Sequence, residues 1–226
     1  MPRKRDPQIE KSVIQAAWSL FGEKGYNATS YSDIAALSHV PRANVQTYFP
    51  KKGIIAARIL EVLRDESIKA ARNTFPEKHT LFEQHCLHGQ IYIQTIMRDN
   101  SFRRFFSDLL EDRKLINELI ERDYMWSAGF VNSAPDETVI PEESLQDVQV
   151  NMGGLYELMY HCITTGTNFD VWKRLRPGYR DLARFIGIGP EQADLLIEET
   201  RIAPEELDKL SKAVLRAVKK DIAAVK

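Results

Sequence analysis

Gly25-Tyr26-Asn27-Ala28-Thr29-Ser30-Tyr31-Ser32-Asp33-Ile34-Ala35 and, shortly after it, Val40-Pro41-Arg42-Ala43-Asn44-Val45-Gln46-Thr47-Tyr48-Phe49-Pro50-Lys51-Lys52 decide how this chain is read. Ser32–Leu37 reads as a short helix, with Thr29 or Ser30 placed to cap its first N–H groups. Pro41 opens the next helix, where a missing N–H costs nothing, and Pro50 closes it by disfavouring helical backbone in the residue before it. Upstream, Ile9, Val13, Ile14, Ala16, Ala17, Leu20 and Phe21 recur at helical spacing up to Gly25, which suits a left-handed terminus. Downstream, a longer helix runs from Lys52 to about Arg72 with Ile55, Ile59, Leu60, Leu63 and Ile68 inward, and Phe75-Pro76 ends the unit. Two short helices joined by a tight turn and flanked by two amphipathic ones form a helix-turn-helix.

A recognition helix must show base-reading side chains on one face while the other grips its scaffold. Val45, Tyr48 and Phe49 form the apolar set, expected to pack on Ile34, Leu37, Leu20 and Phe21. Arg42, Ala43, Gln46 and Thr47 occupy the opposite face. Arginine bonds bidentately to guanine and glutamine to adenine, and a methyl from Ala43 or Thr47 can meet a thymine methyl. Thr29, Ser30, Tyr48, Lys51 and Lys52 surround this reader as expected phosphate holders, all but Tyr48 at helix starts where free N–H groups favour anions.

Charge is distributed in the same sense. The net charge of the 226-residue chain is −1, yet residues 1–72 carry a balance of +5 and residues 73–226 one of −6. Only the first part, which starts with the short basic arm Met1-Pro2-Arg3-Lys4-Arg5, suits a polyanion. Without a tract of eighteen apolar residues or an apolar run behind the basic start, a soluble cytoplasmic protein with no membrane role is expected. Cys86 and Cys162 are too few for a disulfide scaffold and read as reduced core thiols.

The rest of the chain is helical in pattern, and the class is all-α. Helices are expected near Leu81–Arg98, Phe102–Leu110, Arg113–Val131, Glu142–Thr165, Tyr179–Ile186, Glu191–Thr200 and Pro204–Ala223, with Asn132–Pro141 as a loop. Gly153-Gly154 inside a helix reads as a device for close packing, near a subunit interface. Ile186–Ala193 is similar to a helix-hairpin-helix turn, but Glu191 and Asp194 stand where phosphate contacts prefer neutral or basic groups, so a plain connection is expected. The stripe Leu207, Leu210, Val214, Leu215, Val218 and Ile222 suits packing on the domain or on a dimer mate.

The set Phe21-Gly22-Glu23-Lys24-Gly25-Tyr26, Ala28-Thr29-Ser30, Asp33-Ile34-Ala35, Tyr48-Phe49 and Lys52 closely resembles the N-terminal domain of the TetR family of transcriptional regulators, over about residues 8–60. The resemblance implies a homodimer of all-α subunits binding a double-stranded DNA operator. It assigns residues 1–52 to a helix-turn-helix domain, about 52–72 to a linking fourth helix, and 73–226 to a helical domain for effector binding and dimerisation. By position it makes Ser30, Tyr31, Arg42, Ala43, Asn44, Gln46, Thr47, Tyr48 and Lys52 the DNA contacts, to which the residue-level reading adds Thr29. Pro41, Ala43, Gln46 and Gly53 depart from the family's usual capping serine, glycine, tyrosine and glutamate.

Aromatic and methionine residues of the second half permit an apolar pocket for a small effector. His85, His88, Tyr92, Phe105, Phe106, Tyr124, Met125, Tyr156, Met159 and Tyr160 are its expected lining. His85 and His88 stand three apart on one helix, but two ligands do not make a metal site, so no metal or cofactor is expected. An enzyme fused to a DNA-binding domain would need a motif such as GxSxG, HExxH or a P-loop, and none is present. The expected protein is therefore no enzyme but a regulator, a repressor released by a small, largely apolar effector; the alternative is control by a protein partner.

Overall fold

Local capping chemistry sets most helix starts in the computed structural model, which describes residues 6–120 and 142–223. α1 (Pro7–Lys24) begins at Asp6, whose carboxylate accepts from the Gln8 N–H at 2.9 Å. α2 (Tyr31–Ser38) opens on a reciprocal pair: the Asp33 N–H donates to Ser30 Oγ, and the Ser30 N–H donates to Asp33 Oδ2. α3 (Arg42–Tyr48) follows Pro41, and α4 (Lys52–Thr74) follows Lys51. Thr80 and Glu83 repeat the reciprocal cap at α5 (Leu81–Arg98), and the Asp99 carboxylate accepts from the Ser101 and Phe102 N–H groups to start α6 (Asn100–Glu111). Residues 113–120 are helical and labelled α7. α8 (Glu142–Thr165), α9 (Val171–Phe185), α10 (Pro190–Glu199) and α11 (Pro204–Ala223) complete the described helices. No strand occurs among the described residues, as expected of an all-α chain.

Most sequence-derived ranges hold within two residues. The exception is α9, expected only from Tyr179 because Pro177-Gly178 reads as a breaker. It begins eight residues earlier, capped by the Asp170 carboxylate on the Lys173 N–H at 3.0 Å, and carries Pro177 inside. Val171, Leu175, Tyr179 and Ala183 form a buried stripe at four-residue spacing, and Pro177 is exposed, so water can satisfy the carbonyl it leaves unbonded. Tyr124, Met125, Trp126, Phe130 and the expected loop 132–141 lie outside the described residues.

α5 is the structural centre and packs against α4, α6, α9, α10 and α11. Its buried Gln90 ties the connection between α10 and α11: Nε2 donates to the Thr200 carbonyl at 2.9 Å, and Oε1 accepts from the Ile202 N–H at 3.1 Å. The apolar stripe of α11 turns inward on α4 and α5 of its own subunit, with Leu207, Leu210, Val214, Val218 and Ile222 all buried. Among the described residues a Cβ on Gly153 or Gly154 would meet no atom within 4 Å, so neither glycine is needed for close packing on them. The 186–193 turn is a connection between α9 and α10, with Gly187 at φ +77° and Asp194 held by Arg180 through two contacts of 2.6 and 3.0 Å.

α6 joins the N-terminal helices to the body. Phe105 stacks on Phe21 of α1 with centroids 5.3 Å apart, and Trp18 lies 4.4 Å from Phe102. Gly25, at φ +94°, lets Asp108 approach; a Cβ there would sit 2.5 Å from Asp108 Oδ2, which accepts the Asn27 N–H at 2.9 Å. Replacing Gln90 by leucine should lower the free energy of unfolding by about 1–3 kcal/mol, because the buried Thr200 carbonyl and Ile202 N–H lose their partners. Urea denaturation of Gln90→Leu checks this, and an unchanged midpoint would remove the clasp from the stability of α5.

Candidate nucleic-acid interface and interior cavity

α3 is held by what it buries. Val45 and Phe49 enter the core beside Ile34 and Phe21, all at 2% exposure or less. The Tyr31 hydroxyl donates to the Phe49 carbonyl at 2.8 Å, and the Tyr48 hydroxyl accepts the Asp6 N–H at 2.7 Å. Leu37, expected in this core, is instead 48% exposed at the end of the two-turn α2, where Ile34 alone is buried. Leu20 is half-buried.

The opposite face of α3 presents Arg42, Ala43, Asn44, Gln46 and Thr47, all exposed. The Thr47 hydroxyl is turned back onto the Ala43 carbonyl at 2.8 Å, so its methyl is the group left to meet a base. Arg42, Asn44 and Gln46 use their side chains in no hydrogen bond or ion pair among the described residues. Ser30 is exposed at the start of α2, and Lys51 is 65% exposed, 3.4 Å from Glu118.

Two expected phosphate holders are engaged within the fold. Thr29 is 2% exposed, and its hydroxyl donates to the Gly25 carbonyl at 2.7 Å, which removes the side chain from the surface. Lys52 is half-buried; its ammonium donates to the Tyr26 and Thr29 carbonyls at 2.6 and 2.9 Å and lies 4.2 Å from the Tyr26 ring centroid. Two of its three donors are therefore committed to the turn before α2. Sequence spacing alone could not distinguish a lysine aimed outward from one clamping a turn. Gly53 has a local reason, since a Cβ there would come within 2.8 Å of Leu115 Cδ1.

A cavity of about 400 Å³ opens between α4, α5, α7, α8 and α9. His85, His88, Tyr92 and Tyr156 line it as expected. Phe105, Phe106, Met159 and Tyr160 do not: Phe105 packs on α1, Phe106 meets Tyr156 from behind with centroids 5.5 Å apart, Met159 is fully buried, and the Tyr160 hydroxyl donates to Glu111 at 3.0 Å. Tyr124 and Met125 lie outside the described residues. The lining that sequence reasoning missed comes chiefly from α9, through Leu175, Leu182 and Phe185, a helix whose first half the proline concealed.

His85 and His88 meet edge to face with centroids 5.1 Å apart. Burial pushes His85 down to about 4; His88 falls to about 3 through burial first, then the neighbouring charges of His85, Arg64 and Arg72. His88 Nδ1 lies 2.9 Å from the Gln84 carbonyl, which can only accept, so that nitrogen carries the proton of the neutral ring. Among the described residues no three His, Cys, Asp or Glu side chains could hold a metal ion, and no helix is long and apolar enough to cross a membrane.

Lys52→Met should lower the unfolding free energy by about 1–3 kcal/mol, measured by denaturant titration. A lysine serving phosphate alone would leave stability unchanged and flatten the salt dependence of DNA binding by about one unit. The histidines predict acid sensitivity. Their folded pKa values lie below the ordinary 6.5, so the unfolded chain binds more protons as pH falls below 6.5 toward about 4. Stability is full above pH 6.5 and falls by about 1.4 kcal/mol per histidine per pH unit below it. In His85→Gln/His88→Gln that part of the acid slope should vanish; an unaltered slope would contradict neutral burial.

Residues 13–59 match the family described as bacterial regulatory proteins, tetR family. A stretch of 64 residues is 33% identical to the uncharacterized HTH-type transcriptional regulator YuxN of Bacillus subtilis (strain 168), covering 28% of this chain. The chain spans 22% of the length of that relative. Among solved structures, TylP, a TetR regulator from Streptomyces fradiae, is 18% identical with a TM-score of 0.41, covering 88% of this chain and all of that one. A gamma-butyrolactone receptor (ArpA-like protein) is also 18% identical, with a TM-score of 0.34 over 85% of this chain and 98% of that one. The N-terminal helix-turn-helix, residues 13–59, is thus of the kind found in the TetR family of DNA-binding regulators.

Proposed function

We propose that the protein is a repressor that binds a palindromic operator as a homodimer and is released by a small effector held in the interior cavity. The observation that carries the reading is the outer face of α3, where Arg42, Asn44 and Gln46 stand exposed with no partner among the described residues while Val45 and Phe49 anchor the helix. Arg42 and Gln46 read base edges, Ala43 and Thr47 supply methyl contacts, and Asn44 reaches the adjoining edge or phosphate. Ser30, Tyr31, Tyr48 and Lys51 border this face and position the sugar-phosphate backbone. Residues 1–52 form the reading domain, α4 the link, and residues 73–226 the effector and dimerisation domain.

A dimer presents two recognition helices to half-sites about 34–36 Å apart or a multiple of that. An effector with higher affinity for a different helix separation draws the population away from the DNA-bound shape. A mainly apolar cavity of about 400 Å³ suits a small molecule, which favours such a ligand over a docked protein as the controlling partner.

Selection of bound DNA from a random pool tests the reading directly. Enrichment of a palindrome is expected, and Gln46→Ala should lose about 1–3 kcal/mol of discrimination at one base pair of each half-site while leaving the others unaltered. Recovery of unrelated sequences would remove sequence-specific regulation, and a Gln46→Ala preference identical to the parent's would remove Gln46 from the reader.

A further inference from the structure

α7 meets the start of α4 through two side chains. Leu115 is buried so close over Gly53 that a Cβ there would come within 2.8 Å of its Cδ1, and one turn later Glu118 faces Lys51, the residue before α4, at 3.4 Å. Carboxylates from the end of α6 and from α7 thus stand over the turn before α2 and the start of α4. Asp108 accepts the Asn27 N–H, Glu111 accepts from the Asn27 amide and the Tyr160 hydroxyl, and Asp112 accepts the Leu115 N–H at the start of α7. Their charge is felt in the turn: burial first, then Asp112, Tyr31 and Glu118, push the Tyr26 hydroxyl up to about 12. Glu118 is bound differently from the other three. Its partner is a lysine whose side chain is 65% exposed, and its own side chain is 44% exposed. An ion pair so open to water is weak and gives way to a better-placed partner.

Resting on the DNA-binding reading above, in which Lys51 holds the sugar-phosphate backbone, we propose that Glu118 competes with DNA for Lys51: its carboxylate engages in the free protein the ammonium that a phosphate engages in the complex, and so limits how tightly the duplex is held. Carboxylate and phosphate offer the ammonium the same kind of charged acceptor oxygen. A lysine that neutralises a phosphate of duplex DNA also releases a condensed counterion, a gain that a lone carboxylate does not provide. DNA therefore displaces Glu118 rather than being excluded by it, and breaking the pair lowers the net affinity. Leu119, the next residue of α7, lines the cavity, so the competitor stands on the same short helix as part of the proposed effector's wall.

Fluorescence anisotropy of the full chain with a labelled duplex of about 30 base pairs of arbitrary sequence, at about 50 mM salt where screening is weak, reads phosphate holding without an operator. Glu118→Gln should bind this duplex about two- to fivefold tighter than the parent, and Lys51→Gln should bind it more weakly. Added to Lys51→Gln, the change Glu118→Gln should have little further effect, because the lysine it competes for is gone. Circular dichroism verifies that the variants fold; if Glu118→Gln does not, Glu118→Asp, which draws the carboxylate back by one methylene, should shift the affinity in the same direction. Unaltered or weaker binding by Glu118→Gln would overturn the proposal. So would an equal gain with and without Lys51, which is the mark of a carboxylate repelling the duplex at a distance. A Lys51→Gln protein that binds like its parent would take Lys51 from the phosphate holders and the proposal with it. Each of these outcomes leaves DNA binding itself standing, whereas a parent that binds no duplex would remove the DNA-binding reading and the competitor together.

Discussion

A helix of seven residues has no stability of its own in water, so everything exposed on α3 depends on what pins α3 down. The pins are few and of different kinds. Val45 and Phe49 bury apolar surface, Tyr31 satisfies the carbonyl of Phe49, and Tyr48 accepts the amide of Asp6 from the start of α1. Lys52 then holds the carbonyls of Tyr26 and Thr29, which fixes the turn that aims α2. Because these contacts take the inner groups, the outer groups of Arg42, Asn44 and Gln46 remain for another molecule. Rigidity of the scaffold and availability of the reader are one arrangement seen from two sides.

The same economy appears where the N-terminal helices meet the body. α6 places two neighbouring phenylalanines on different partners, Phe105 against Phe21 of α1 and Phe106 against Tyr156, which lines the cavity. Asp108 and Glu111, one turn further on, accept from Asn27 in the turn before α2. Tyr156 and the turn before α2 are thus connected through one packed helix, with Gly25 allowing the close approach. Under the proposed function α6 is a second route from cavity to DNA beside the linking α4, which itself lines the cavity with Leu60 and Arg64.

Much of this was legible from residue types and spacing. Capping residues, prolines at helix ends and the apolar period placed nearly every helix, because these signals are local and act within one or two turns. The outward set of α3 followed from the same periodicity, since burying Val45 and Phe49 leaves Arg42 and Gln46 on the far side. Local signals end where a distant partner decides. Thr29 and Lys52 have the chemistry of phosphate holders, yet both are engaged by carbonyls of the turn they flank. α9 was cut short because a proline weakens a helix by a known local cost, while its compensation is the burial of Val171, Leu175 and Tyr179 against other helices. Phe105 and Phe106 were placed in the cavity on composition alone, although an aromatic side chain does not announce which neighbour it will meet.

By itself, then, the sequence determined the all-α class, the helix-turn-helix and the outward face of its second helix, because hydrogen bonding, capping and periodicity are properties of adjacent residues. Only the tertiary structure decided which polar groups face outward and which aromatics wall the cavity. Those outcomes depend on side chains brought together from α4, α5, α8 and α9, and no local rule carries that information along the chain.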